Sequence, residues 1–308
     1  MNDFYNGTDM LKTAAETAKR KIMNLNSTDA IDLDTLKKLF ITKIDNSNTD
    51  IKISEADDYL FDKNVQIIGT NDYKSIFNKD KLESFIYELH KDSRGKKIIG
   101  YQLIIPRPLS RTAVKWGSHA VALVLNPIKK KIIYHDSTGF DIPQELKIIF
   151  NKCFKDYTVI DYHDKSQFSE EKNDGSCRYL SLLNIYYRIM DELDKQPDTE
   201  LNFSTFAGKD YKSDIRSEKF REYLWKEFKD ELLVKELNRI KKEKQDKEFE
   251  QKPHKQPVFG KSATPKPVIE SSDYQLYLDP EFEPWVENLA KSLNSQNDFA
   301  RLNTVYQK

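Results

Sequence analysis

Three residues in this 308-residue chain have types and surroundings suited to covalent chemistry: His119, Asp136 and Cys177. Cys177 stands in Asp174-Gly175-Ser176-Cys177-Arg178-Tyr179-Leu180, between a strand pattern and an apolar helix pattern. Asp174 and Ser176 are capping types, and Gly175 permits a tight bend. The cysteine therefore falls in the first turn of a helix, where the dipole and free N–H groups favour a thiolate. An imidazole within reach, oriented by a carboxylate, would complete a nucleophile. The competing reading of any lone cysteine is a small buried hydrophobe. That reading suits Cys153, late in a helix starting near Gln144, and suits Cys177 poorly because its neighbours are turn formers and polar residues.

The histidine and the aspartate lie in one hairpin, SHAVALVLNPIKKKIIYHDSTG. Two β-branched apolar runs flank Asn126-Pro127-Ile128-Lys129, and proline at the second place of a four-residue turn has its φ already set. A turn centred between Pro127 and Ile128 puts His119 directly opposite Asp136, with both side chains on one face. Both faces of the hairpin are apolar, with Val121, Leu123 and Leu125 on one and Ala120, Ala122 and Val124 on the other. This implies a central strand buried on two sides, with the polar pair at one end. A histidine–aspartate hydrogen bond at a sheet edge with no chemistry fits the same hairpin. His135 is a competing histidine, but strand alternation aims it away from the Asp136 face.

These residues need a scaffold, and the rest of the chain supplies its elements. Helical periodicity covers Thr8 to Lys21 and Asp34 to Ile44, then Lys81 to His90, Gln144 to Phe154 and Cys177 to about Leu193. Strand patterns cover Val65 to Ile68, Ile98 to Pro106, Ala120 to Leu125, Lys131 to Asp136 and Tyr157 to Tyr162. A charged helix follows from Asp214 to about Lys247, its first half carrying Phe220, Leu224, Trp225, Phe228, Leu232 and Leu233, its second half solvated. Pro253, Pro257, Pro265 and Pro267 mark an extended linker, and Pro280 to Leu302 reads as a last helix. The organisation expected is a helical N-terminal region at 1–55, a catalytic domain at 56–235, a charged helix extension with Pro-rich linker at 236–273, and a helical segment at 274–308. The fold class expected is α+β, a central mixed sheet flanked by helices.

Composition narrows the chemistry. Lys plus Arg number 50 and Asp plus Glu number 50, so the formal net charge is +0. A general nucleic-acid binder would show a basic surplus, and the two signs interleave along the chain. Two cysteines cannot build a disulfide framework or a cysteine-rich zinc site. No apolar run approaches the roughly 20 residues that span a bilayer, and the N-terminus lacks a signal-peptide stretch. The expectation is a chain with reduced thiols, no membrane span, no nucleic-acid partner, no metal and no cofactor.

In the order His, Asp, Cys, this set resembles the CE-clan cysteine proteases, which include SUMO proteases, adenovirus protease and bacterial deubiquitinating effectors. The segments that carry the resemblance are Ser118-His119-Ala120-Val121-Ala122-Leu123-Val124, Ile133-Tyr134-His135-Asp136-Ser137 and Asp174-Gly175-Ser176-Cys177. It covers about residues 98–193 and is confined to motifs. It implies a papain-like-related fold, Cys177 as nucleophile, His119 as general base and acid, and Asp136 as the orienting carboxylate. It also implies a glutamine before the cysteine as an oxyanion donor; Gln167 is the candidate, ten residues ahead, which requires a loop insertion. Arg178 stands where the family has glycine, and Ala120 where it has tryptophan, with Trp116 three residues before His119. Trp116 and Arg178 are therefore candidates for the substrate channel. The activity implied is removal of ubiquitin or a ubiquitin-like modifier, with residues 1–95 as the source of the modifier-binding surface.

Two alternatives share the residues. A YopJ-family acetyltransferase would load acetyl from acetyl-CoA on the same cysteine, and needs a basic pocket for inositol hexakisphosphate. Arg216, Lys219 and Arg221 lie on one helix but among acidic neighbours, which disfavours such a pocket. A CE-like module that binds modifiers without cleaving them is the second, and Arg178 is its supporting feature. The Lys-, Asn- and Ile-rich composition matches an AT-rich genome; with the resemblance, it implies a bacterial effector secreted into the host cytoplasm.

Overall fold

The computed structural model describes residues 7–24, 31–53, 60–66, 73–108, 116–137, 141–163, 176–201, 214–250 and 281–305. In chain order the elements begin α1 (Gly7–Asn24), α2 (Leu33–Ile44), β1 (Thr49–Lys52), β2 (Phe61–Gln66), β3 (Tyr73–Phe77) and α3 (Lys79–Asp92). They continue with β4 (Ile98–Pro108), β5 (Trp116–Asn126), β6 (Lys131–Asp136), α4 (Gln144–Cys153) and β7 (Thr158–His163). Three helices complete the set, α5 (Ser176–Glu192), α6 (Asp214–Glu250) and α7 (Phe282–Val305). Local chemistry sets several boundaries. The Asp32 carboxylate accepts from Thr35 N at 3.3 Å to start α2, and Asp45, in the left-handed region at φ 44, ends it. Asn78 Oδ1 accepts from Lys81 N at 3.0 Å to start α3.

The five-stranded sheet runs β1-β4-β5-β6-β7. Its outer pairs, β1 with β4 and β6 with β7, are parallel, while β4, β5 and β6 are antiparallel neighbours. The result is the α+β architecture expected, a mixed sheet with helices on both faces. β5 is the middle strand, as its two apolar faces require. Ala122 and Val124 pack with α5, α2, α1 and α6 through Leu180, Leu183, Phe40, Ile22 and Phe220. Val121, Leu123 and Leu125 pack with α3, α4 and α7 through Leu82, Ile86, Leu146, Phe150, Val286 and Leu289. Burying one such leucine is worth about 1.5–3 kcal/mol, so both layers hold the sheet strongly.

Three differences from the sequence expectation concern short or polar strands. β1 lies inside a stretch expected to be helical, because TDIK offers only one apolar side chain to any pattern. The strand expected at Val65 to Ile68 is found as β2, ending at Gln66, and pairs with β3, which polar content hid. Within residues 1–95, expected to supply a modifier-binding surface, Leu60 is buried in the core around α3 and Phe77 packs against it.

The β5–β6 hairpin differs from the expectation in its turn. Asn126 pairs with Lys131 and Ala122 with His135, so the loop holds four residues, Pro127 to Lys130, rather than two. Asn126 is the cause. Its Oδ1 accepts from Ile128 N at 3.1 Å and Lys129 N at 3.0 Å, and Lys130 then turns through the left-handed region at φ 52. The register is therefore displaced by two residues from direct opposition of His119 and Asp136. A displacement of two preserves the face, which one residue would have reversed.

Candidate active site

His119 and Asp136 meet across the β5–β6 ladder as diagonal neighbours. The imidazole Nε2 lies 2.9 Å from Asp136 Oδ1. Both residues are buried, at 3% and 1% exposure, and so is the adjoining Ser137. A carboxylate held this close orients the imidazole, with Nε2 directed at Asp136. His135 points the other way, as alternation demands. Its ring packs at a tilt of 56° against Tyr162 of β7, with 4.8 Å between centroids, and the Arg188 guanidinium of α5 covers Tyr162 at 3.7 Å.

Cys177 sits in the first turn of α5, half-buried against Ile104 of β4 and Ala120 of β5. Ala120 follows His119 in the chain, so cysteine and histidine reach the same end of β5. They reach it from opposite faces, because successive strand side chains alternate. Among the described residues, no hydrogen bond joins the Cys177 thiol to the His119 imidazole. The structure thus brings His119 and Asp136 into contact and places Cys177 on the other face of β5.

The other cysteine has a different environment. Cys153 closes α4 and packs beside the α3–α4–α7 layer, and burial pushes its thiol up to about 12. At neutral pH it stays protonated, which is what a structural cysteine does.

The remaining candidates divide by position. Arg178 is half-buried and, with Asp32, Leu33 and Tyr179, lines a cavity of about 190 Å³ beside the cysteine. Tyr179 holds the wall of that cavity: its hydroxyl donates to Ile31 O at 2.9 Å and accepts from Ile31 N at 3.4 Å. Trp116 opens β5, where its backbone pairs with Pro108. Gln167, Asp174 and Gly175 lie outside the described residues. Lys219 and Arg221 are half-buried on α6. Gln102 of β4 gave no motif signal, yet it is buried and bonded to the first turns of α5. Its donor contacts are Arg178 O at 2.7 Å and Ser181 Oγ at 2.8 Å. The signal that could have marked it is a lone amide in the otherwise apolar strand Ile98-Ile99-Gly100-Tyr101-Gln102-Leu103-Ile104-Ile105.

No protein-family profile matches the chain, and no curated protein matches it in sequence. Among solved structures, the SUMO protease Ulp1 with its catalytic cysteine oxidised to a sulfenic acid is similar at 15% identity and a TM-score of 0.32. That alignment covers 77% of this chain and 97% of Ulp1. The Legionella pneumophila effector protein RavZ is similar at 15% identity and a TM-score of 0.27, over 61% of this chain and 63% of that one. RavZ in complex with human LC3B is similar at 12% identity and a TM-score of 0.29, over 86% and 77%.

Proposed function

We propose that this chain is a cysteine isopeptidase that removes ubiquitin or a ubiquitin-like modifier, with Cys177 as nucleophile, His119 as base and acid, and Asp136 orienting the imidazole. The observation that supports it is the buried His119 Nε2–Asp136 Oδ1 contact of 2.9 Å, placed at the strand end where Cys177 packs on Ala120. His119 Nδ1 takes the thiol proton, and the sulfur bonds to the carbonyl carbon at the modifier's C-terminus. The Cys177 backbone N–H, at a helix N-terminus, faces the oxyanion; Gln167 would be the second donor. Collapse breaks the C–N bond, and the imidazolium gives its proton to the leaving amine. Water, deprotonated by Nδ1, then attacks the thioester and releases the modifier acid and the thiolate. Trp116 and Arg178 would border the channel that receives the tail.

The choice of a modifier as substrate rests on the motif-level resemblance to CE-clan proteases. The same resemblance, with the Lys-, Asn- and Ile-rich composition, supports reading the chain as an effector of an intracellular bacterium that acts in the host cytoplasm. The test is hydrolysis of a panel of ubiquitin and ubiquitin-like proteins carrying a C-terminal fluorogenic amide. Cleavage of at least one, lost in Cys177→Ala, is expected. Autoacetylation with acetyl-CoA and no hydrolysis would transfer the reading to an acetyltransferase; binding with neither reaction would make the chain a modifier-recognition module.

A further inference from the structure

Strand β4 carries a row of three residues that face α5: Gly100, Gln102 and Ile104. Each meets the helix one turn apart. A Cβ on Gly100 would collide with Ile185 Cγ2 and lie within 3.4 Å of Ile189 Cδ1, so glycine lets the helix settle directly on the strand. Gln102 bonds to the Arg178 carbonyl and the Ser181 hydroxyl, and Ile104 packs on Cys177. The contact series Cys177, Ser181, Ile185 and Ile189 steps by four residues along the helix while the strand steps by two. Four helical residues rise about 6 Å and two strand residues about 6.8 Å, so the two rows stay nearly in step. α5 thus runs antiparallel to β4 along a matched row.

Within that row Gln102 is the polar member, 1% exposed, and Ser181 is fully buried beside it. The Ser181 hydroxyl also donates to Arg178 O, at 2.9 Å. The Arg178 carbonyl therefore accepts from an amide of β4 and from its own helix, one peptide beyond Cys177. Apolar packing tolerates sliding and rotation, whereas a directed hydrogen bond does not. Gly100 and Ile104 fix how closely the helix lies on the strand. Gln102 fixes the rotation of its first turn, and so the direction in which the thiol leaves the helix. A leucine at 102 would fill the space and lose the direction.

We infer that Gln102, acting through the Arg178 carbonyl and Ser181, is a positioning residue that sets the orientation of the first turn of α5 and, with it, of the Cys177 thiol. This rests on the peptidase reading of Cys177, and the experiment separates the two. The full chain carrying Cys153→Ser is alkylated with iodoacetamide across a pH series, and the midpoint of the Cys177 profile is read. Gln102→Leu is expected to slow alkylation at neutral pH about tenfold and to displace the pH profile from that of the wild type. Ser181→Ala, which removes only a hydroxyl, is expected to move it in the same direction by about threefold in rate, and it serves if Gln102→Leu does not fold. Lys129→Ala, which removes the Nζ contact to the Glu192 carbonyl at the other end of α5, is expected to lower thermal stability and leave the profile in place. Superimposable profiles for the wild type and the 102 and 181 variants overturn the positioning role. Wild-type alkylation no faster than that of an unfolded cysteine peptide, with no hydrolysis of any modifier amide, overturns the peptidase reading instead, whichever way the variants move.

Discussion

The two ends of α5 are held by opposite kinds of chemistry. At its N-terminal end the partners are neutral: the Gln102 amide, the Ser181 hydroxyl and the aliphatic Ile104 and Ala120. At its C-terminal end they are ionic. Glu192, 7% exposed, accepts from Lys131 Nζ at 2.9 Å and Asn126 Nδ2 at 2.7 Å, and Lys129 Nζ donates to the Glu192 carbonyl at 2.7 Å. Lysines there also complement the negative end of the helix dipole. About 22 Å of helix separates this cluster from Cys177, nearly three Debye lengths at physiological salt. The neutral anchor positions the first turn through directed hydrogen bonds, without an ion pair. The difference teaches that one end of the helix is built for strength and the other for aim.

The comparison breaks most visibly at the aim end. Asp136→Asn keeps the size of the side chain but offers Nε2 an amide instead of the carboxylate that orients the imidazole. Turnover of a fluorogenic modifier amide is expected to fall by about 10²–10⁴-fold, with the unfolding midpoint little changed. A variant within threefold of wild type would remove His119 from the mechanism.

At the strength end the expected loss is in stability. Glu192→Leu leaves Asn126 and Lys131 without their acceptor in a buried setting, partly relieved because Lys131 reaches solvent at 32% exposure. Denaturant unfolding should show a loss of about 2 kcal/mol, while the alkylation profile of Cys177 stays in place. A shifted profile would mean that the two ends are not independent.

The smallest effect sharpens the contrast through pH. Beyond the C-terminus of α5, Asp198 receives Lys43 Nζ at 2.6 Å, and that hydrogen bond, aided by Glu200 N, holds its carboxyl below the usual carboxylate range. Its folded value is depressed, so its contribution is present above the unfolded value of about 3.9 and is lost as pH falls through the lower folded value. Asp198→Asn should flatten the acid limb of stability slightly and leave thiol reactivity alone. An acid limb identical to wild type would show that the pair contributes nothing.

Much of this was legible in the sequence. The hairpin, α5 and the facing of His119 and Asp136 follow from alternation and capping, since apolar runs with few exceptions leave little choice of face. The register did not follow, because proline drew attention to Pro127 whereas the Asn126 side chain builds the turn. β1 and β3 were hidden by brevity and polarity, and tertiary pairing makes them strands. Gln102 is the more instructive omission. Its partners are a carbonyl and a hydroxyl 76 and 79 residues away, a distance no local pattern spans. The placement of Cys177 on the opposite face of β5 from His119 was likewise invisible, since helix-to-sheet packing decides it.

The central claim is that Cys177 is the nucleophile, and one measurement meets it directly. The full chain is treated with ubiquitin-like modifiers bearing a C-terminal electrophile, and the adduct is located by peptide mapping. The account requires the modifier on Cys177 and not on Cys153, whose thiol burial pushes up to about 12. Attachment to Cys153, or no adduct with any modifier while Cys177 alkylates freely, would contradict it.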